Sequence, residues 1–198
     1  LALGCNSMIN AEEEVDRGTI ELPPAQRRLM EAVYDANPNV VLVLFSNYPY
    51  AVGWAQEKIP AILWSAAGAQ DMGTAMAETL LGRNNPAGRL NMTWYQSDDQ
   101  LPDIEDYDII GGGRTYRYFE GEALYPFGYG LSYTSFAYGK AEADCREVSE
   151  KGITIRVPVK NTGSMAGGET VQAYVKIERE GTPNAQLKGI CKLHLEPG

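Results

Sequence analysis

Hydrophobic positions in the first half of the chain fall into two alternating patterns. Val40-Val41-Leu42-Val43-Leu44-Phe45 is a continuous apolar run, as expected for a central parallel strand covered on both faces. Leu1-Ala2-Leu3-Gly4-Cys5 reads as the end of another buried strand, and Ala61-Ile62-Leu63-Trp64 as a third. Helical spacing lies between them. Leu22-Pro23-Pro24 opens a helix, proline being tolerated in the first turn. Leu29 and Val33, with Met30 beside them, give that helix an apolar stripe, and Asn37-Pro38 ends it. A short helix is predicted over Ala51 to Gln56. A longer one runs from about Met72 to Leu81, with Met72, Ala75, Met76 and Leu80 on one face and Gly82 as its C-cap. Leu90-Asn91-Met92-Thr93-Trp94 alternates as a further strand. The β-α-β-α-β succession implies a parallel sheet with helices on both sides.

The pattern then changes twice. From Gln96 to Gly113 the chain is acidic and turn-rich, carrying Asp98, Asp99, Asp103, Glu105, Asp106 and Asp108. It lacks the ligand order and central glycine of a calcium loop, so a solvated excursion is expected. Gly111-Gly112-Gly113 reads as a flexible linker, and Arg114 to Phe119 as strand-like aromatic alternation. Tyr125-Pro126-Phe127-Gly128-Tyr129-Gly130-Leu131-Ser132-Tyr133-Thr134 then suits a join: large rigid faces for packing, and glycines for turns closed to other residues. After about Gly139 helical periodicity disappears. Ile153, Ile155, Val157 and Val159 alternate over one half-buried strand, where Pro158 demands an edge or a bulge. Val171, Ala173, Val175 and Ile177 repeat the alternation, and Leu193 and Leu195 mark a last strand.

Composition narrows the function classes. A net charge of −9 over 198 residues argues against nucleic acid, whose phosphates need a basic surface. No apolar run is long enough to span a bilayer. Cys5, Cys145 and Cys191 fit no zinc or redox spacing and are expected as buried or half-buried thiols. The one histidine, His194, falls in the predicted final strand, which discounts a Ser-His-Asp or Cys-His site. No βα turn carries a dinucleotide glycine fingerprint. No metal site and no cofactor are expected.

The order of the motifs carries more than any one of them. Glu13 with Asp16-Arg17, Leu22-Pro23, Asn85-Pro86-Ala87-Gly88-Arg89-Leu90, Gly113-Arg114-Thr115-Tyr116-Arg117-Tyr118-Phe119 and the Tyr125–Thr134 segment follow one another. This succession resembles the C-terminal portion of glycoside hydrolase family 3, the β-glucosidases and β-xylosidases. The resemblance covers essentially the whole chain. It implies an α/β fold: a partial α/β sandwich over residues 1–139, mostly parallel with helices on both faces. A partial all-β, fibronectin type III-like (Ig-like) sandwich is implied over 140–198. Such a module takes about 100 residues and seven strands, so the chain is expected to be a fragment truncated at both ends.

What the resemblance implies about chemistry is specific. The retaining route needs a nucleophilic carboxylate and a second carboxyl group that protonates the leaving oxygen and later deprotonates water. The nucleophile would be an aspartate on an N-terminal barrel. The acid/base glutamate would lie in the Glu-x-x-Asp-Arg setting here, with Glu13 in that role and Glu12 as the one-residue alternative. Many members carry glycine directly after the acid, where this chain has Glu14. A neighbouring carboxylate raises a glutamate's pKa, which suits an acid working near neutrality. Asp16 and Arg17 are expected to order the loop. The Gly-Arg-Thr-Tyr-Arg-Tyr-Phe form leans toward the β-xylosidases. Trp64, Trp94 and Tyr48-Pro49-Tyr50 could stack on a pyranose, although core positions suit most of them. The implied partners are a small carbohydrate substrate and the N-terminal barrel against which these domains pack. No nucleic acid and no membrane are expected, a homodimer is compatible, and the compartment is undecided. A non-catalytic structural or sugar-binding protein on the same domains is the alternative.

Overall fold

The chain forms three parallel strands in the order β1-β2-β3, followed by turn-rich chain and short antiparallel ladders. The computed structural model describes residues 1–6, 8, 14–15, 17–145, 150 and 152–198. The first sheet joins β1 (Ala2–Gly4), β2 (Val41–Phe45) and β3 (Ala61–Ser65). Leu3 pairs with Leu44, and Leu44 with Trp64. Leu42, Val43 and Leu44 are buried in the central strand, the reason its run is apolar throughout. Gly4 has φ +147°, and a Cβ there would lie 1.9 Å from the Phe45 carbonyl oxygen. Only glycine allows that close approach.

α1 (Pro24–Ala36) carries proline in its first turn and buries Met30. Leu29 is half-exposed and turned away. The inward face runs instead through Gln26, whose side-chain amide both donates to the Gly4 carbonyl (2.7 Å) and accepts from the Gly4 N–H (2.9 Å). α2 (Gly53–Lys58) buries Ala55 and starts two residues later than the sequence suggests. α3 (Met72–Leu80) buries Thr79, while Leu80 points outward. Its C-terminus closes with Gly82 at φ +70°, the Gly82 N–H bonding Thr79 O and the Arg83 N–H bonding Glu78 O. That pairing is the Schellman arrangement expected of a glycine C-cap.

Three expectations fail for identifiable reasons. Leu90–Trp94 is no parallel strand; it meets the Tyr125–Tyr129 segment antiparallel, through Leu90 N–H to Tyr129 O and reciprocal Trp94–Tyr125 bonds. Arg114–Phe119 forms a single helical turn, α4 (Thr115–Tyr118), because Gly113 and Thr115 both take left-handed φ angles (+61° and +62°) that break an extended run. The glycine triplet is no loose linker either. Asp108 Oδ1 accepts from the N–H groups of Ile110 and Gly111, and Arg114 donates to the carbonyls of Asp103 and Asp106. The acidic side chains there serve as turn-forming acceptors.

Among the described residues after 135, every regular element is a strand. β4 (Phe136–Tyr138) pairs antiparallel with β7 (Val159–Asn161), and β5 (Glu142–Ala143) with β6 (Ile155–Arg156). The one strand expected over 153–159 is therefore split in two, with Pro158, which has no N–H to give, at the break. β8 (Gly167–Val175) and β9 (Gln186–Leu195) form a further sheet.

Contacts divide the chain into two bodies. The first, Leu1–Gly73 with Leu90–Tyr129 and Val175–Gln186, contains every buried hydrophobic side chain among the described residues, including Leu42, Leu44, Tyr50 and Trp94. Trp94 packs edge-on against Trp64 and Tyr125 at 5.9 Å. The second body comprises Thr74–Arg89, Gly130–Tyr174 and Leu187–Gly198, and its buried side chains are polar: Thr79, Thr134, Asn161, Glu169 and Thr170. Asn85 organises it, accepting from Ser132 Oγ and the Tyr133 N–H (each 2.8 Å) and donating to Ala166 O. Arg89 pairs with Glu169 at 2.6 Å, and Tyr138 donates its hydroxyl to the same carboxylate. Asn161 bonds Thr134, Gly163, Met165 and Leu195.

Partial burial, then the Glu169 hydrogen bond and charge, push the Tyr138 phenol up to about 12. A raised acid favours its protonated form in the fold, so the contribution is complete below pH 10 and is lost as pH rises toward 12. Alkaline unfolding should therefore steepen above pH 10 and be shallower in Tyr138→Phe. Superimposable pH–stability curves for the two proteins would contradict this role.

Candidate functional site at the carboxyl edge of the parallel sheet

In an open parallel sheet, ligands gather outside the carboxyl ends of the strands. Here those ends are Gly4, Phe45 and Ser65, in register with one another. The pairing continues a residue further, through Cys5 N–H to Phe45 O and Ser46 N–H to Ser65 O. Ser46 is almost fully buried. Its Oγ donates to Tyr48 O at 2.7 Å, while the Trp64 indole N–H is shared between Ser46 O (3.1 Å) and Ser46 Oγ (3.2 Å). Asn47 Oδ1 accepts from the Ala67 N–H, joining the loop after β2 to the loop after β3. A buried serine and a tryptophan thus fix where Tyr48-Pro49-Tyr50 leaves the sheet.

Arg17 meets that platform. Its guanidinium carbon lies 4.4 Å from the Tyr48 ring centroid and 5.6 Å from that of Tyr50. Tyr50 is completely buried and Tyr48 is exposed. Arg17 Nη1 is shut off from solvent with no hydrogen-bond partner among the described residues. The arrangement is a cation packed on π faces, with no acceptor for Nη1 among the described residues. Downstream of Arg17 the chain is stapled again. Asp98 accepts from Thr19 Oγ1 (2.5 Å) and the Ile20 N–H (2.7 Å), and the Ala51 N–H bonds Ile20 O.

Of the residues expected at the site, Arg17 is among those described; Glu12, Glu13 and Asp16 lie outside the described residues. Glu14 is exposed, with φ +61°. Trp94 belongs to the apolar core, and Trp64 is committed to Ser46. Sequence reasoning missed Gln26, Ser46 and Asp98. Asp98 was lost in an acidic run, although its place before a turn is a normal acceptor position.

Among the described residues no group of three or more His, Cys, Asp or Glu side chains could hold a metal ion. His194 Nε2 lies 3.8 Å from a Glu196 carboxylate oxygen, and both side chains are exposed. Cys5 is half-buried, within the expectation of buried or half-buried thiols, whereas Cys145 and Cys191 are exposed. Among the described residues, no helix is long and apolar enough to cross a membrane. A shallow depression of about 130 Å³ by α1 and α2 includes one carboxylate, Glu21, among its lining side chains, and so offers no carboxylate pair.

Known proteins agree with the motifs. Residues 1–133 match the family model described as the glycosyl hydrolase family 3 C-terminal domain. The chain is 41% identical to a xylan 1,4-β-xylosidase of Xylanibacter ruminicola, over 92% of its own length and 21% of that protein. It is 36% identical to the thermostable β-glucosidase B of Acetivibrio thermocellus, over 94% of its length and 26% of the relative. The structure superimposes on that of the Kluyveromyces marxianus β-glucosidase in complex with glucose, with a TM-score of 0.85 and 34% identity, covering all of this chain and 25% of the other. The chain thus spans about a quarter of the length of these relatives. It belongs to glycoside hydrolase family 3, as a mixed α/β portion of that family's C-terminal region.

Proposed function

We propose that this chain is part of a retaining, exo-acting β-glycosidase that removes terminal non-reducing β-D-glucosyl or β-D-xylosyl residues. It would contribute the acid/base loop and its scaffold, residues 1–139 acting as the α/β sandwich domain and 140–198 as the beginning of a fibronectin type III-like domain. The nucleophilic aspartate would come from an N-terminal barrel packed against them. The supporting observation is Arg17, held on Tyr48 and Tyr50 beside the carboxyl edge of the sheet. It ends the Glu13–Arg17 segment in the place where an open α/β sheet presents its chemistry. Two of the relatives are named for the xylosyl and glucosyl activities, and one was solved with glucose bound.

In this reading Glu13 gives its proton to the glycosidic oxygen as the C–O bond breaks and the aspartate attacks the anomeric carbon. The resulting carboxylate then takes a proton from water as the glycosyl-enzyme is hydrolysed. Asp16 and Arg17 order the loop, and no cofactor takes part. Glu14 fits this reading: the family resemblance implies glycine directly after the acid, and the Glu14 backbone is in the left-handed region that glycine tolerates best.

Two outcomes follow. In the full-length gene product, Glu13→Gln should lower turnover of aryl β-glycosides with poor leaving groups by about 10²-fold or more. Activated substrates should be nearly spared, with added azide restoring turnover on them. Unchanged rates would shift the role to Glu12 or off this loop. At the next position, a left-handed glutamate costs on the order of 1 kcal/mol. Glu14→Gly should therefore leave Tm unchanged or raised, while Glu14→Val should lower it; equal losses in both would rule out the assigned backbone.

A further inference from the structure

The acidic segment after Asp98 carries an apolar tip. Tyr107 is 87% exposed, and Ile104, Ile109 and Ile110 are 60%, 54% and 66% exposed. A slack loop could fold such side chains away, but this backbone is fixed. Asp103 Oδ1 accepts from the Glu105 N–H, Asp106 Oδ1 from the Asp108 N–H, and Asp108 Oδ1 from the Ile110 and Gly111 N–H groups. Arg114 closes the loop: its backbone N–H bonds Ile109 O, and its guanidinium donates to the carbonyls of Asp103 and Asp106. Large apolar side chains held out on a rigid support mark a contact with another surface.

Position and length point to that surface. The loop starts beside the carboxyl edge of the sheet, where Asp98 accepts from Thr19 Oγ1 (2.5 Å) and the Ile20 N–H (2.7 Å), just past Arg17 on its tyrosines. This chain covers 21%, 26% and 25% of the three relatives described above, so most of their length lies outside the part it matches. We propose that Ile104, Tyr107, Ile109 and Ile110 are the docking tip for the N-terminal barrel of the full-length polypeptide, seated in an apolar hollow on it. Asp103, Glu105 and Asp108 are exposed in the same loop, so the margin of that hollow carries lysine or arginine. A tip already held in one conformation loses little freedom on docking. The inference rests on the reading of this chain as part of a longer glycosidase, and adds to it which surface meets the barrel.

The test uses the full-length gene product. A photo-crosslinker is introduced as Tyr107→p-benzoylphenylalanine, and its links are mapped by mass spectrometry after irradiation. The expected product is an intramolecular link to a peptide encoded before Leu1. Links confined to residues 1–198, links between two copies, or no link would each overturn the proposal. The wild-type protein supplies a second arm that needs no variant to fold. In hydroxyl-radical footprinting, Tyr107 should be oxidised at least about fivefold more slowly in the native state than after urea unfolding, as in the desolvated core of an interface. Smaller protection leaves the tip in water and overturns the proposal. Turnover of aryl β-glycosides by the same wild-type protein separates the two levels. Turnover with Tyr107 unprotected overturns the docking role alone. A protein without turnover whose Tyr107 links to the N-terminal portion keeps the docking and overturns the glycosidase reading.

Discussion

Ser46 is the residue on which the carboxyl edge of the sheet depends. It sits one residue past β2, buried, with its N–H given to Ser65, its hydroxyl to the Tyr48 carbonyl, and its oxygens to the Trp64 indole. A buried hydroxyl is stable only when its bonds are made, and once made they allow little freedom. The loop after β2 therefore leaves the sheet in one direction. Tyr48 and Tyr50 are delivered to Arg17, and the long loop after β1 gains an anchor far from its ends. The other anchors are Gln26, which clasps the Gly4 backbone, and Asp98, which accepts from the Thr19 hydroxyl and the Ile20 N–H.

The two bodies are held together internally by different physics. The first buries aliphatic and aromatic side chains around β2, the ordinary hydrophobic solution. The second buries amide, hydroxyl and ion-pair groups whose bonds are made largely to one another and to backbone. Asn85 and Arg89, from one short motif, reach Ser132, Tyr133, Ala166 and Glu169. Removing one partner from such a network strands the others out of water, so each position tolerates little change. The Asn-Pro-Ala-Gly-Arg motif is thus explained as structural bonding, with no catalytic role required of it.

Legibility in the sequence followed the range of the interactions. β2 was readable because a parallel strand buried through its middle writes a continuous apolar run, and β3 because its own stretch, though only partly buried, is apolar from Ala61 to Trp64. The end of α3 was readable because a glycine cap is local chemistry. Leu90–Trp94 misled because its alternation is real, but its partner is the Tyr125–Tyr129 backbone, some thirty residues away. Arg114–Phe119 misled because period-2 spacing of aromatics cannot reveal two left-handed residues at Gly113 and Thr115. There Tyr116 stacks on Phe127 at 4.1 Å and Phe119 meets Tyr95 edge-on at 5.0 Å, contacts that a single helical turn supplies. At the site, Arg17 was named from its motif. Its seat on Tyr48 was not, since nothing local connects positions thirty-one residues apart. Glu12, Glu13 and Asp16 remain assigned by motif alone.

The assignment of Glu13 as the acid is tested most directly by the pH dependence of kcat/KM for a poor leaving-group aryl β-glycoside, measured on the full-length gene product and its Glu13→Gln variant. A general acid imposes an alkaline limb, because rate falls as its proton is lost. The expected result is a wild-type profile with that limb and a variant profile without it. An alkaline limb that persists unchanged in Glu13→Gln would contradict the assignment and leave this loop as scaffold.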